Sequence, residues 1–425
     1  MAEVQFANVG ARGRKAIVRG YIYTRQRAGN DHTWSHWFCV RRHKGCRGRI
    51  HISPDERNYK VTAEHDHIPS YGECKAKLAL SALRTQAQNE PNSNPLHLTQ
   101  GVLVQADSET LVSLPKENSM KRTIQRIRRQ HQPALPTTIN DIVEIPEQYA
   151  TIEGENWVQY NNFGNEENGR IIIFATQDSI RHLSRSAMWY GDGTFKCVPR
   201  ILCQLYTLHY EANDNVLMGC FALMQNKTEA SYEEMFRAVR DMLPPQDPEV
   251  ARKFSCDFEL AATNAISRIF VNISYNYCFF HFSQSLWRKA QMCGVAGAYG
   301  QEDEHELRSQ FHACIALAYV PTEHVQAAFL DLRETADKRL DEVLDLLEDF
   351  YIMGRRRGRG RATPRYPIHT WNVYERTIQG LPRTNNTVEA WNRRWKTVVG
   401  KSHPNIFLML EKIKKRHFTW QASRS

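Results

Sequence analysis

Between residues 188 and 282 the chain reads as three strands, a helix, a strand, a helix and a strand, an order that few sheets accommodate. Strands are expected at Trp189–Val198, Ile201–Tyr210 and Val216–Met224, with turns at Pro199-Arg200 and Asn213-Asp214-Asn215. Tyr232, Met235, Phe236, Val239 and Leu243 recur at helical spacing, and Pro244-Pro245 ends that helix. Phe254–Cys256 reads as a short strand. Ala262, Ile266, Ile269 and Phe270 make one face of a second helix, and Asn276–Phe282 reads as a strand again. One more strand, Ile171–Ala175, precedes the series.

This is the element order of the RNase H fold, expected here over residues 150–285. From 286 to 383 the pattern turns helical, notably over Glu304–Ala318 and Thr322–Tyr351, and reads as an all-helical insertion. Within it the segment Gly354 to Arg365 has six arginines among twelve residues. Such a loop is flexible by composition and would hold phosphate without regard to sequence. Helices return at Asn386–Val399 and Ile406–Arg416, so residues 384–425 are expected to complete the core.

Residues 1–75 differ in kind. They are rich in Trp, Tyr, Cys, His and Arg, with short β-type runs at Tyr21-Ile22-Tyr23 and Trp37-Phe38-Cys39-Val40. A unit so small needs a staple besides its hydrophobic core. Cys39 and Cys46, followed by His65 and His67, supply two thiolates and two imidazoles. That is a donor set for a closed, tetrahedral zinc site, and a poor one for magnesium or calcium. Gly20-Tyr21-Ile22-Tyr23, Trp37-Phe38-Cys39-Val40-Arg41-Arg42 and Lys44-Gly45-Cys46-Arg47 together resemble the FLYWCH zinc finger, with Phe38 a minor departure. The resemblance implies a DNA-binding module. Arg41, Arg42, Lys44, Arg47 and Arg49, close to the ligands, are its candidate phosphate or base contacts. Residues 76–149 are expected to be a linker, polar from Asn89 to Pro95, with one short basic helix at Ser119–Gln130.

Three acids stand out by their surroundings. Asp192 lies on a strand between Gly191 and Gly193, glycines expected to leave room around the carboxylate. Asp257 follows Phe254-Ser255-Cys256, where a strand gives way to a helix. Glu389 sits on the helix capped by Thr384 or Asn385. It shares a face with Asn392, Arg393 and Lys396, apart from the stripe of Val388, Trp391, Trp395 and Val398. Gathered without a cation, three carboxylates repel and raise one another's pKa. Gathered around Mg²⁺ or Mn²⁺, they suit hard cations that take oxygen ligands. Two such ions about 4 Å apart activate a water or 3′-hydroxyl and stabilise the leaving oxygen of an in-line phosphoryl displacement. Asp178 and Glu259 are weaker rivals, since Glu259 also suits the start of a helix.

Four segments carry a second resemblance. They are Asp192-Gly193-Thr194-Phe195 followed by Pro199, Cys256-Asp257-Phe258-Glu259, Cys278-Phe279-Phe280-His281, and Asn386-Thr387-Val388-Glu389-Ala390-Trp391-Asn392. In this order they resemble the Mutator-like (MULE) transposases of the DDE superfamily. The resemblance implies an RNase H-like core interrupted before its last acid, with Asp192, Asp257 and Glu389 as ligands of the catalytic metal. It implies double-stranded DNA, at element ends and at the target, as substrate. It also places Cys278 and His281 near the site. One Cys and one His do not complete a zinc site, and no spacing selects partners from Cys293, His312, Cys314 and His324. The expected function is metal-dependent DNA cleavage and strand transfer. The alternative is a domesticated, non-catalytic DNA-binding regulator.

Charge and length agree with an anionic partner. At 425 residues the chain exceeds one ordinary domain, and its net charge is +10. Residues 12–49 hold eleven Lys or Arg against one Asp, and Lys121–Arg129 and Arg355–Arg365 form further clusters. Clustered cations are what counterion release rewards. Arg393 and Lys396 join the finger's cations as expected DNA contacts. The longest apolar stretch, Ala313–Val320, is too short to cross a bilayer, and the first six residues do not resemble a secretory leader. Ten cysteines scattered among charged residues suit a reducing compartment. The expectation is a nuclear protein without a membrane partner, assembling as a homo-oligomer to cut two DNA ends.

Overall fold

Two units, residues 1–134 and 135–425, make up the structure. It is a computed structural model describing residues 4–422 apart from 11–12, 27–33, 92, 132–133, 214 and 245–251. Arg12 and Arg27 of the first basic cluster, and the expected turn residues Asp214 and Pro245, lie outside the described residues.

In the first unit, β1 (Gln5–Asn8), β2 (Arg14–Val18), β3 (Tyr21–Arg25), β4 (Ser35–Cys39), β5 (Arg49–Ile52) and β6 (Tyr59–Ala63) form an antiparallel meander. Alternation splits its side chains between two faces. Ala16, Val18, Tyr23, Trp37, Ile50 and Ile52 bury one cluster, while Ala7, Ile17 and Ile22 pack with Cys74 of α1 (Tyr71–Asn89). Residues 76–131, expected as a linker, are a correction. Together α1, α2 (Pro95–Gln105), α3 (Ser108–Ser113) and α4 (Glu117–His131) close a core of Leu83, Ala87, Leu98, Met120, Ile124 and Ile127. The basic helix is therefore amphipathic, and a reading by charge sees only its outer face. Residues 135–149 also leave the linker, because Ile139, Ile142, Ile145 and Tyr149 are buried in the second unit.

That unit opens with α5 (Glu147–Ala150) and a ribbon of β7 (Thr151–Ile152) and β8 (Glu155–Asn156). There follow β9 (Val158–Asn161), β10 (Ile171–Phe174), α6 (Gln177–Arg185), β11 (Met188–Thr194), β12 (Gln204–Ala212) and β13 (Asn215–Met224). Next come α7 (Glu229–Met242), β14 (Arg252–Cys256), α8 (Leu260–Ile269) and β15 (Ile273–Tyr277). One mixed sheet results, in the order β15-β14-β11-β12-β13-β10-β9. The pairs β11–β14 and β14–β15 are parallel and all others antiparallel. Both faces are covered, so the middle strands are apolar on each side. Ile171, Ile173, Tyr206, Leu208 and Ala222 face a core shared with α7 and α8, and Ile172, Phe174, Leu205, Phe221 and Leu223 face another.

Several strand limits move. The strand expected at Trp189–Val198 stops at Thr194, and the strand expected from Ile201 begins at Gln204. The last, expected at Asn276–Phe282, is Ile273–Tyr277, and α9 (Phe279–Met292) begins where aromatic residues suggested more strand. Phe282 and Leu286 are buried one helical turn apart, so tertiary packing overrides local β preference. Then α10 (Val295–Tyr299), α11 (His305–Ala316), α12 (Val325–Thr335) and α13 (Asp341–Leu347) enlarge the first core. The arginine segment is a hairpin of β16 (Arg356–Arg357) and β17 (Gly360–Arg361), with Arg361 tied to Glu348 and to the Gly354 carbonyl. After α14 (Ile368–Trp371) and α15 (Tyr374–Ile378), α16 (Asn386–Val399) and α17 (Ile406–Ala422) cover the second core with Trp391, Trp395, Met409 and Leu410. No helix among the described residues is long and apolar enough to cross a membrane.

Candidate metal centres

In the first unit β4 ends at Cys39, and one tight helical turn, Val40–Lys44, closes on Gly45 with φ +96° and returns the chain to Cys46. His65 and His67 follow β6. The four ligand atoms lie within 4.8 Å of one another. Cys39 Sγ is 3.4 Å from His67 Nε2, and Cys46 Sγ is 3.3 Å from His65 Nδ1. The second nitrogen of each ring is engaged elsewhere. Tyr23 Oη lies 2.7 Å from His65 Nε2, and the Ile68 carbonyl 3.0 Å from His67 Nδ1. Such outer contacts fix which nitrogen faces a metal. The amides of Arg41 and Gly48 donate to the two sulfurs. Gly48 admits no side chain, since a Cβ there would lie 2.5 Å from His65 Nδ1. Burial, then the adjacent Cys46, push the Cys39 thiol up to about 11, so two thiolates here call for a cation. The set fits zinc. Of the finger's five cations expected to touch DNA, Arg41 is committed to Glu73 at 3.0 Å, while Arg42, Lys44, Arg47 and Arg49 are exposed.

The carboxylates of the second unit follow from strand register. β11 and β14 run parallel with Gly191 opposite Cys256. Their next residues, Asp192 and Asp257, therefore emerge side by side at the carboxyl ends of neighbouring strands, where open α/β sheets place their ligand sites. β15 stops one strand further out. The Cys278 amide donates to the Cys256 carbonyl at 3.0 Å, and His281 follows in the first turn of α9. Glu389 arrives from the other face of the sheet, in the first turn of α16. His281 Nδ1 lies 2.9 Å from Asp257 Oδ1 and its Nε2 3.9 Å from Glu389 Oε1. Two of the acids thus bracket one imidazole.

Electrostatics mark the site as crowded. Asp192 is only 8% exposed, and burial first, then Asp257, push its carboxyl up to about 8. Glu389 is raised by burial and by Asp257. Burial works against a charged His281, but Asp257 and Cys278 outweigh it and raise the ring to about 10. Asp257 Oδ1 and Glu389 Oε1 are buried without a hydrogen-bond partner, the His281 contact being close but out of line. Unbonded, crowded carboxylate oxygens are costly without a cation. Among the described residues the three acids do not by themselves form a group with ligand atoms within 4.8 Å of one another; Cys278, His281 and Glu389 do.

Asn392, expected on the same helix face as Glu389, has partners that its sequence position did not reveal. One turn beyond Glu389, it donates Nδ2 to Asp192 Oδ2 and accepts from Thr194 Oγ1 at 2.8 Å. Both Thr194 and Asn392 lie inside the segments that drew attention to the acids, and that was the available signal. The flanking glycines correct an expectation. They do not make room for the carboxylate. A Cβ on Gly191 would meet the Tyr206 hydroxyl and come 2.5 Å from Phe254 Cζ, and one on Gly193 would lie 2.7 Å from Gln204 Oε1. Alternation places both on the opposite side of the strand.

Asn385, not Thr384, precedes α16, and its side chain makes no cap bond. Its backbone N–H donates to Cys278 Sγ at 3.2 Å, and both atoms of its side-chain amide are buried without a hydrogen-bond partner. Asp178 is paired with Arg181 and His182 on the exposed face of α6. Glu259, raised by burial, is held by Tyr232 and Lys227. Cys278 and His281 group with Glu389, and among the described residues none of Cys293, His312, Cys314 or His324 joins them. Arg393 and Lys396 are exposed on the helix that carries Glu389.

Residues 10–67 match the family described as the FLYWCH zinc finger domain, and residues 188–285 match the MULE transposase domain. The second match includes Asp192, Asp257, Cys278 and His281 and ends before Glu389. No curated protein matches the chain.

Proposed function

We propose, from a FLYWCH zinc finger and a MULE transposase domain carried on one chain, that this protein is a DNA transposase of Mutator-like type. What supports the reading is that Asp257, at the end of β14, and Glu389, on α16, flank His281 and both act on the buried carboxyl of Asp192 on β11. The partial order β13-β12-β11-β14-β15, three antiparallel strands and then two parallel ones, supports an RNase H-like core. The helices between β15 and α16 are then its insertion.

Asp192, Asp257 and Glu389 would hold Mg²⁺ or Mn²⁺ through carboxylate oxygens. Those ions, when bound, supply the charge that activates a water or 3′-hydroxyl and stabilises the leaving oxygen. Asn392 fixes one oxygen of Asp192 and leaves the other available to a metal. His281, raised well above neutrality, carries a positive charge between Asp257 and Glu389 and offsets their repulsion. Arg393 and Lys396 meet the DNA backbone beside the last acid. No covalent protein–DNA intermediate is required. The finger brings the element's ends, two-ended cutting calls for more than one copy, and the substrate places the protein in the nucleus.

The test is nicking of supercoiled plasmid by the full chain with Mg²⁺, beside Asp257→Asn and Glu389→Gln. Wild type nicks; each variant loses at least about a hundredfold in rate, as removal of a metal ligand does, and keeps its DNA affinity. Nicking retained by Asp257→Asn would remove that residue from the chemistry. Wild-type inactivity, even on DNA carrying the element's own ends, would favour the non-catalytic regulator.

A further inference from the structure

The face of the finger sheet opposite Trp37 is only partly covered. The first helix closes over Ala7, Ile17 and Ile22, while the far ends of β4, β5 and β6 stay open. Register pairs Phe38 with Arg49, His36 with His51, and His51 with Lys60, so these side chains share that face. They are arranged rather than scattered. The Arg42 guanidinium lies 4.9 Å from the Phe38 ring centre, and the Lys60 ammonium 4.7 Å from that of Trp34. His36 and His51 stack at 4.0 Å with 9° between their planes. Burial, then His36, Arg49 and Lys60, hold His51 below its ordinary value. At neutral pH the His51 ring therefore offers both a donor and an acceptor.

Charge distinguishes this face from its surroundings. Arg14 and Arg41 are paired with Glu56 and Glu73. Arg42, Arg49 and Lys60 are exposed, and among the described residues no carboxylate pairs with them. Three strands at about 4.8 Å spacing span roughly 10 Å, which a major groove about 12 Å wide admits. Aromatic rings under two of the cations hold the charged heads in place before a ligand arrives.

We propose that this open face, with Arg42, Arg49 and Lys60 on phosphates and the His36–His51 pair towards base edges, is the surface by which the finger contacts duplex DNA. The turn Val40–Lys44, where the sequence concentrates its cations, is then at the margin of the contact. The proposal rests on reading the finger as a DNA-binding module.

The test is a footprint of the full chain with diethyl pyrocarbonate, which acylates neutral imidazole, read peptide by peptide with and without sheared plasmid duplex. His43, exposed on the turn, is the internal comparison. DNA protects His36 and His51 several-fold and leaves His43 unchanged. In parallel, the double variant Arg49→Ser/Lys60→Ser keeps its zinc, and its log K against log salt slope falls by about 2, near one per lost phosphate contact. Protection of His43 alone would move the contact to the turn and overturn the proposal while leaving a DNA-binding finger. Binding of DNA with none of the three histidines protected would overturn both. Protection by polyglutamate but not by DNA would assign the face to an acidic protein, and so also overturn it.

Discussion

Asn392 has a separate partner on each atom of its amide, Asp192 on the nitrogen and Thr194 on the oxygen. Leucine keeps the branched shape and loses both. Because outer contacts to a metal ligand are typically worth about 10–100-fold in affinity or activity, Asn392→Leu should raise the Mg²⁺ concentration for half-maximal nicking by about that factor. DNA affinity should stay the same. Thr194→Val should err in the same direction and less. An unchanged metal dependence would reduce Asn392 to packing between α16 and β11. Gly191 gives a test that needs no activity. Its Cβ would press on Phe254 and Tyr206, both buried, so Gly191→Ala should cost about 1–3 kcal/mol as overpacking does. Gly297→Ala, in open space on α10, should be neutral or slightly stabilising. Urea titration of the two decides between them. That the glycines beside Asp192 mattered was legible in the sequence; which side of the strand they served was not, because alternation says where a side chain points and not what waits there.

Elements were legible where one face is apolar and the other polar. The expected helix Asn386–Val399 is α16 to the residue, because the tryptophan stripe and the charged stripe sit at clean helical spacing. The boundary between β15 and α9 slipped because Phe279, Phe280 and Phe282 at the start of α9 have the aromatic character of a strand. The packing of β12 under α16 could not be read either, since it brings together residues far apart in the sequence. His209 is buried beside Trp391 and bonded to Thr207 Oγ1 at 3.1 Å. Burial alone lowers its pKa to about 3. The folded state therefore refuses a proton that the unfolded chain accepts below about 6.5. Between those values the unfolded state binds more protons, so stability falls as pH falls. The loss attributable to this ring should approach roughly 1.4 kcal/mol per pH unit below about pH 6. His209→Gln should flatten the stability-against-pH curve of the second unit by that amount between about pH 4 and 6. A slope unchanged by the substitution would mean that the ring is solvated or already charged.

At the scale of the molecule, the two units hold themselves together by different means. The second has two clusters that cover both faces of a seven-stranded sheet, a design stable through burial alone. The finger sheet of the first has two small clusters of seven and four buried residues, too few to order six strands against their chain entropy. The turn between Cys39 and Cys46, and the return of His65 and His67, are fixed only if something links the four donor atoms. A structural zinc ion contributes on the order of 10 kcal/mol in small fingers, comparable to the whole stability of an ordinary domain. Chelation should therefore release the amides of β3, β4 and β5 to rapid hydrogen exchange, while those of β11, β12 and β13 keep their protection. Cys46→Ser should do the same without a chelator, and added zinc should restore the wild type but not the variant. Protection that persists in β4 and β5 after zinc is shown to be gone would make Cys39, Cys46, His65 and His67 a packed cluster, and the sheet would owe its order to the helix against its other face.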